Sequence, residues 1–279
     1  GIGFGILVNS YLNKSHSSLI LSKVQYKDGI YKVVNNRGSM YERIIRRESR
    51  KIIRYIGKSN KENIRLLDFG CGKGVLLYWA KAAGFEVFGI ETSIERARFA
   101  REEYGIERLD TFEYVDGQVF AERMDAITML HVLEHLYNPR ELLSRLISYN
   151  LKREGIFIVE VPNWNSWQRH IAGEEWLHID ISRHISHFDE DSLYTLLVKS
   201  NLRIVKTEYF SFHLGVLGMT DALLSRGRIR KGGKIIEKLK EYDMWTCLLV
   251  GVVLPLALIL EAIAALLGRG GIIRVYCEY

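Results

Sequence analysis

Cysteine and proline are both rare in this sequence of 279 residues, with three of each. Cys71, Cys247 and Cys277 lie far apart, which excludes a disulfide framework and a zinc site built from closely spaced cysteine pairs. Scattered cysteines are typical of a reducing compartment, so the expected location is the cytoplasm. The sequence also lacks low-complexity tracts and repeats of 20 to 50 residues, which excludes a solenoid or a propeller.

Length and composition indicate one large domain with an appendage. Apolar residues make up 48% and charged residues 26% of the chain, which is the balance of ordinary globular proteins. The patterning divides the chain into an N-terminal cap or hairpin at 1–40, a core at 41–212, a basic and apolar helical insertion at 213–271, and a last strand at 272–279.

Strand-like and helix-like patterns alternate through the central part of the chain, after an amphipathic helix at 41–56. Strands separated by helices of about ten residues form βαβ units, and these predict a mostly parallel sheet with helices on both faces. This organisation excludes a β-sandwich, a helical bundle and a small barrel. The strands are predicted at 64–69, 86–90, 125–130, 155–161 and 203–210, and the helices at 75–83, 94–104, 139–150 and 191–200.

A glycine-rich loop, LLDFGCGKG at 66–74, follows the first predicted strand. It lies at the carboxyl edge of the sheet, where ligands bind in doubly wound folds, and its glycines let a ligand approach the backbone closely. The dinucleotide fingerprint requires a glycine where Val75 stands, which disfavours a nicotinamide cofactor. No GK[ST] sequence follows at the required spacing, so a phosphate-binding P-loop is excluded.

Two carboxylates near this loop suit a nucleoside ligand that has no phosphate. Glu91 ends the next strand, about twenty residues on, where a carboxylate can accept both ribose hydroxyls. Asp68 stands just ahead of the glycines, where it can engage the ammonium of an amino-acid-bearing ligand. S-adenosylmethionine carries both groups, so the loop favours this cofactor. The alternative is a structural glycine turn beside a surface carboxylate.

The loop and the sequence GIETS at 89–93 resemble motif I and the acidic motif of class I S-adenosylmethionine-dependent methyltransferases. MDAITMLHVLEHLYNPRELL at 124–143 resembles the fourth-strand signature of this family, and GIFIVEVPN at 155–163 resembles its fifth strand. The resemblance extends over about residues 41–212. Within it, residues 162–193 resemble a subgroup that modifies glycans and small metabolites.

The resemblance implies an α/β fold with a doubly wound, Rossmann-like sheet of seven strands, mostly parallel with an antiparallel last strand. It also implies methyl transfer from S-adenosylmethionine, which leaves S-adenosylhomocysteine. The acceptor would be a sugar, a lipid-linked glycan or another small hydroxyl-bearing molecule. The implied cofactor contacts are Asp68, Phe69, Gly70, Cys71, Gly72, Glu91, Thr92, Leu130 and His131, with Asp110 as the candidate acceptor for the adenine amine.

Several histidines lie in and after the fourth-strand motif, and three interpretations of them remain open. In the first, His135, His184 or His187 is a general base for the acceptor hydroxyl, and no metal is needed. In the second, Glu134, His135 and His184 or His187 hold a divalent metal, as in quinone and small-RNA methyltransferases with a Glu-x-x-Glu-His pattern. His131 replaces the first glutamate here, which speaks against a hard metal, whereas His/Glu sets suit zinc. In the third interpretation, these side chains and His178 are structural.

Three tryptophans lie in the segment 162–188, which is expected to cover the acceptor pocket: Trp164, Trp167 and Trp176. Their rings suit stacking on a sugar, an aromatic ring or a lipid chain. A small apolar core beneath a long loop is the alternative interpretation.

Residues 247–267 are almost wholly apolar, with Pro255 and Glu261 as interruptions. The run is long enough to span a membrane, but a last strand at 272–279 that pairs with 203–210 requires the chain to return to the side it left. Pro255 favours two short helices that form a hairpin. Two interpretations remain open. The segment 226–267 makes peripheral contact with the inner face of the membrane, or it forms a buried helix pair or a dimer interface. The basic residues just before the run suit anionic headgroups: Arg226, Arg228, Arg230, Lys231, Lys234, Lys238 and Lys240.

Two other functions stay open beside small-molecule methylation. One is a metal-assisted RNA 2′-O-methyltransferase, although nucleic acid is the less expected partner because the basic clusters also fit solvated helix faces. The other is a non-catalytic scaffold that binds the cofactor without turnover.

Overall fold

A computed structural model describes residues 40–59, 62–111, 118–179, 184–226 and 244–279. Apart from Met40, the predicted N-terminal cap lies outside these described residues, as does most of the basic segment 226–240. The core is one seven-stranded sheet in the order β3-β2-β1-β4-β5-β7-β6. The strands are β1 (Arg65–Phe69), β2 (Glu86–Ile90), β3 (Leu109–Asp110), β4 (Met124–Leu130), β5 (Leu151–Pro162), β6 (Arg203–Glu208) and β7 (Ile272–Glu278).

Five α-helices lie close to their predicted places along the chain, and those at Ile94–Tyr104 and Pro139–Asn150 match the predicted bounds, whereas the helices at Trp167–Ala172 and Leu217–Arg226 were not predicted individually. A 3₁₀ turn at Leu133–His135 and a π-helical turn at Phe212–Val216 supplement them. The α-helices are α1 (Met40–Gly57), α2 (Val75–Ala82), α3 (Ile94–Tyr104), α4 (Pro139–Asn150), α5 (Trp167–Ala172), α6 (Glu190–Lys199), α7 (Leu217–Arg226) and α8 (Met244–Leu266).

Strands β1 to β5 pair in parallel, and β7 runs antiparallel between β5 and β6. The sheet separates two apolar cores, because successive side chains of a strand point to opposite faces. Leu66 packs with α1, α2 and α3 on one face, and Leu67 packs with α4 and α6 on the other. These features confirm the predicted doubly wound sheet and its antiparallel last strand.

The apolar C-terminal segment differs from the prediction in one respect, because it forms the single helix α8 instead of two short helices. Pro255 lies on the exposed side of α8, where the loss of one backbone hydrogen bond is tolerated. On the opposite side, Ala257, Glu261 and Ala264 are fully buried, and they hold the helix after Pro255 against the domain. The chain then returns to the sheet, where β7 pairs with β6 as predicted.

Candidate cofactor and acceptor site

The glycine loop after β1 is held against the end of β2 by its own backbone. The amides of Gly70 and Cys71 both donate to the carbonyl of Ile90, at 2.8 and 2.9 Å. Gly70 has φ +81°, and a Cβ there would come within 2.3 Å of Val132 Cγ2, so only glycine fits. Gly72 also has a positive φ, but the space beside its Cα is open. The loop therefore packs tightly at Gly70 and leaves the backbone at Gly72 accessible to a ligand.

A cavity of about 540 Å³ lies against this loop. Its volume falls within the range of roughly 300–1,000 Å³ that is typical of small-molecule sites. The loop, the end of β4, the inner side of α1 and the segment 211–214 form its wall. The structure brings six predicted cofactor residues to this wall: Asp68, Gly70, Cys71, Gly72, Leu130 and His131.

Four predicted cofactor residues lie beside the cavity instead of on its wall. Glu91 is buried and accepts hydrogen bonds from the amides of Gly72 and Ser93, both at 2.8 Å, so it is tied to the tip of the loop. Phe69 packs in the core, Thr92 is exposed, and Asp110 ends β3. The cofactor contacts assigned to all ten residues stay predictions.

Asp68 provides a test of whether the site fits S-adenosylmethionine. Its carboxyl is buried and accepts one hydrogen bond, from Thr128 Oγ1 to Oδ1 at 2.7 Å. Burial raises the pKa of Asp68 to about 7, against the lowering effect of Thr128 and with a further increase from nearby Glu91. An ammonium group in the cavity would restore the charged carboxylate. Asp68 on the cavity wall, beside the open backbone at Gly72, therefore fits the ammonium group of an amino acid tail.

His131 follows β4 directly and contributes a positive charge to the cavity wall. Its Nε2 lies 2.8 Å from Glu160 Oε1, and its Nδ1 lies 3.4 Å from Glu134 Oε1. Burial alone would lower the pKa of His131, but these two carboxylates raise it to about 10. At neutral pH the ring is therefore an imidazolium. Its backbone has φ +56°, a left-handed conformation that turns the chain from β4 into the next loop.

Two neighbouring histidines, in contrast to His131, are uncharged. His178 and His213 both line the cavity, and burial lowers both pKa values, with a second contribution from the charge of His131. The pKa of His213 falls to about 4. Both rings are therefore neutral near pH 7, while His131 beside them is charged.

Glu134, His135 and His184 form a third group on the wall. Ligand atoms of all three lie within 4.8 Å of one another, and the two imidazole rings are 4.8 Å apart. The Nδ1 of His184 lies 2.8 Å from the carbonyl oxygen of His178 and donates to it, which places the lone pair of the neutral ring on Nε2. His131 and His135 hold the pKa of Glu134 below its ordinary value, although burial opposes this effect.

The structure separates the third predicted base, His187, from this pair. Its ring stacks on Trp164 with a centroid distance of 4.4 Å, and Arg169 lies over the same indole at 3.8 Å. Burial and the charge of Arg169 lower the pKa of His187. His135 and His184 thus line the cavity, whereas His187 packs with Trp164 and Arg169 outside the cavity wall.

Sequence reasoning missed a buried charge cluster behind His131. Arg274 Nε donates to Glu160 Oε2 at 2.5 Å, and Arg274 Nη2 donates to Glu48 Oε2 at 3.2 Å. Attraction to Arg274 and His131 holds the pKa of Glu160 well below its ordinary value, despite its burial. Two signals were present in the sequence: Arg274 lies inside an apolar strand, and Glu48 lies among the basic residues of a helix. Neither signal identifies its partner.

Comparison with known proteins identifies the family. The family described as "Methyltransferase domain" matches residues 41–207, which is more than half of the chain. The ubiquinone biosynthesis O-methyltransferase of Cereibacter sphaeroides (strain ATCC 17029 / ATH 2.4.9) is 30% identical over 155 residues, which cover 50% of this chain and 61% of the relative. The protein of the same name from Rhodopseudomonas palustris (strain TIE-1) is 31% identical over 124 residues, with 42% and 47% covered. The chain spans about half the length of the curated relatives it matches.

A solved structure shows the same fold. The crystal structure of a SAM dependent methyltransferase from Archaeoglobus fulgidus superposes with a TM-score of 0.56 at 20% identity, and the match covers 85% of this chain and 94% of that one. The subgroup that modifies glycans stays a prediction. The sheet, the glycine loop and the family match lead to one conclusion: the chain belongs to the S-adenosylmethionine-dependent methyltransferases, and S-adenosylmethionine is its cofactor.

Proposed function

We propose that this protein transfers a methyl group from S-adenosylmethionine to a hydroxyl oxygen of a small acceptor molecule. The observation that carries the proposal is the pair His135 and His184, which lies on the wall of the same cavity as the glycine loop. The relatives named as O-methyltransferases support oxygen as the acceptor atom. A sugar, a lipid-linked glycan or another small hydroxyl compound is the proposed acceptor class.

When bound, S-adenosylmethionine supplies a methyl group on a positively charged sulfur, and transfer breaks the carbon–sulfur bond as the carbon–oxygen bond forms. The protein must align the acceptor with that methyl group and remove one proton. We assign Asp68 to the ammonium group and Glu91 to the ribose hydroxyls. The imidazolium of His131 suits the carboxylate of the methionine part, because the charges are opposite.

Proton removal falls to the histidine pair in this scheme. Nε2 of His184 carries the lone pair that accepts the hydroxyl proton, because its Nδ1 donates to the carbonyl of His178. His135 lies beside it and orients the acceptor. Trp164 and Trp176 do not line the cavity: Trp176 is buried, and His187 and Arg169 cover the indole of Trp164, so both rings pack in the segment beside the acceptor.

Radiolabelled methyl transfer onto a panel of catechols, phenols, monosaccharides and polyprenyl-linked sugars tests the proposal. His184→Ala is expected to lower kcat on the accepted substrate by roughly 10²- to 10⁴-fold, the usual contribution of a general base, with S-adenosylmethionine affinity retained. His170→Ala is the matched control, because His170 is exposed and does not line the cavity. If His184→Ala and His135→Ala both keep the kcat of the control, the base assignment is wrong.

Glu134, His135 and His184 support a second candidate, a metal-assisted methyltransferase in which they hold a divalent ion. Nδ1 of His131, 3.4 Å from Glu134 Oε1, competes with a metal ion for this carboxylate. Chelation followed by addition of Zn²⁺, Mn²⁺ or Mg²⁺ separates the two, since only the metal-assisted reaction is lost and then restored. A short RNA in the acceptor panel tests 2′-O-methylation. Cofactor binding without transfer to any acceptor would favour the scaffold.

A further inference from the structure

Helix α8 exposes a continuous apolar stripe to solvent. Leu248, Val252, Leu256, Ile259 and Ile263 recur every three or four residues, and between 42 and 72% of each is exposed. These positions lie on one side of a helix, and the stripe extends over roughly 25 Å at 1.5 Å per residue. The solvent side of a surface helix is normally polar. An apolar surface of this extent marks a contact surface.

The opposite side of α8 is fastened to the domain. The carboxyl of buried Glu261 accepts hydrogen bonds from the amide of Gly271 at 2.7 Å and from Gln168 Nε2 at 3.0 Å. The connection from α8 to β7 is also tied down, because Asn163 Nδ2 donates to the carbonyls of Gly268 and Gly270. The helix therefore lies flat on the domain and leads straight into the sheet.

These contacts distinguish a helix that spans a membrane from a helix that lies in the plane of the membrane interface. The segment Leu248–Leu266 has the length and the mean hydropathy, 2.6, of a membrane span. Spanning would pull Glu261 away from both of its donors and place its carboxyl in hydrocarbon, which is costly. It would also strain the short connection to β7, which pairs with both β5 and β6. A helix that lies in the plane of the interface keeps all of these contacts.

The charge of the preceding segment indicates which surface the stripe contacts. Residues 226–240 contain seven lysines and arginines and a single acidic residue, Glu237. Basic residues close to an anionic membrane are attracted to its surface. The combination of basic residues with an apolar helix side matches a bilayer that has anionic headgroups above an acyl layer. A protein partner would not require both features side by side.

We propose that α8 lies in the plane of an anionic lipid bilayer, with its exposed apolar stripe at the acyl boundary, and that the positive charge of the sequence 226–240 strengthens the attraction to the headgroups. Gln168, which binds Glu261, also donates to the carbonyl of Gly215 at 2.7 Å, next to Leu214 in the cavity wall. Two side chains, Glu261 and Gln168, thus connect the buried side of α8 to the cavity wall. This connection suits a lipid-linked acceptor, an inference that rests on the proposed function, whereas docking itself does not.

Flotation of the full chain with vesicles tests the proposal, using phosphatidylcholine alone and phosphatidylcholine mixed with phosphatidylglycerol. We expect roughly tenfold stronger binding to the anionic vesicles, weakened by 0.5 M salt. The double variant Val252→Glu, Ile259→Glu is expected to lose this binding roughly tenfold or more, because it places two charges on the stripe. Val198→Glu, Val205→Glu is the matched control, since both valines are exposed on α6 and β6 and are not part of the stripe.

Circular dichroism and S-adenosylmethionine affinity, unchanged in both double variants, show that a loss of vesicle binding is not a loss of fold. Failure of the wild-type chain to bind either vesicle overturns the proposal. A dimer in sedimentation that only the Val252→Glu, Ile259→Glu variant disrupts also overturns it, because the stripe then contacts a second copy. Resistance of the membrane-bound chain to alkaline carbonate extraction would instead show a span.

Discussion

The two halves of the sheet build their parts of the site in different ways. Around β1 and β2 the cofactor loop is stabilised by neighbours in sequence, such as the bond from Gly72 to Glu91, 19 residues away. Around β5 and β7 the wall depends on Arg274, which contacts residues 114 and 226 positions away. A short sequence motif therefore identifies the part of the site in the first half, whereas the part in the second half forms only when distant segments of the chain come into contact.

The strongest test of this comparison is Arg274→Met in the second half. It removes the cation that bridges the buried carboxylates of Glu160 and Glu48 and leaves them only His131 and Lys51 as partners, and we expect the free energy of unfolding to fall by about 3–5 kcal/mol. Urea unfolding measures it. Arg203→Met is the matched control, because the Arg203–Glu278 ion pair on the same edge of the sheet is exposed and contributes at most about 1 kcal/mol. An equal loss of unfolding free energy in the two variants would mean that the buried ion pairs stabilise the fold no more than the exposed one.

In the first half, Gly70→Ala is expected to lower the free energy of unfolding by about 2–4 kcal/mol, through backbone strain and the clash with Val132. Gly72→Ala meets no neighbour and is expected to cost only about 1 kcal/mol, yet to weaken S-adenosylmethionine binding, because the methyl group enters the space left for the ligand. Thermal unfolding and calorimetric titration separate the two effects. Unchanged affinity in a folded Gly72→Ala variant would place the cofactor elsewhere.

Cofactor binding itself distinguishes the assigned contacts in the first half. Asp68→Ala and Glu91→Ala are each expected to weaken S-adenosylmethionine binding by roughly tenfold or more, since each removes a charged hydrogen-bond partner. Parallel titrations with S-adenosylhomocysteine and NAD complete the test. Wild-type affinity in both variants would contradict the assigned contacts, and binding of NAD alone would contradict the cofactor.

A change of pH needs no substitution, and it tests the contact between His131, which follows β4, and Glu160 in β5. The pKa of His131 is raised to about 10 in the folded protein, against roughly 6.5 in the unfolded chain. Its stabilising contribution is therefore complete below pH 6.5 and is lost as the pH rises through 10. Proton NMR is expected to show the His131 ring charged from pH 6 to 8, and Glu160→Gln is expected to lower its pKa. Titration of His131 near pH 6.5 would show that the carboxylates do not control it.

Local patterns predicted the regular elements well. The predicted bounds of β2, α3 and α4 are confirmed, because each has a clear apolar period and a stop signal such as Gly105. The two-residue β3 escaped prediction because it is too short to show alternation. The turn at Phe212–Val216 and α7 also escaped, since their residues are buried on several sides and show no period.

Within the site, sequence predicted the loop residues but could not choose among the histidines. His135, His184 and His187 are equivalent as residue types, and only packing separates them. The hydrogen bond from His184 to the carbonyl of His178 and the stacking of His187 on Trp164 give the three rings different surroundings. Glu48 and Arg274 were missed because a single charged residue does not indicate its partner.

The sequence by itself determined the parallel sheet, the glycine loop with its acidic neighbours, and the methyltransferase family, because periodicity and short motifs depend on residues close together in the chain. Only the tertiary structure decided which charges meet behind the cavity, that His131 carries a proton, and that α8 lies flat with one apolar side uncovered. These properties depend on burial and on distances between remote segments, and burial sets both the pKa of a side chain and the exposure of a helix.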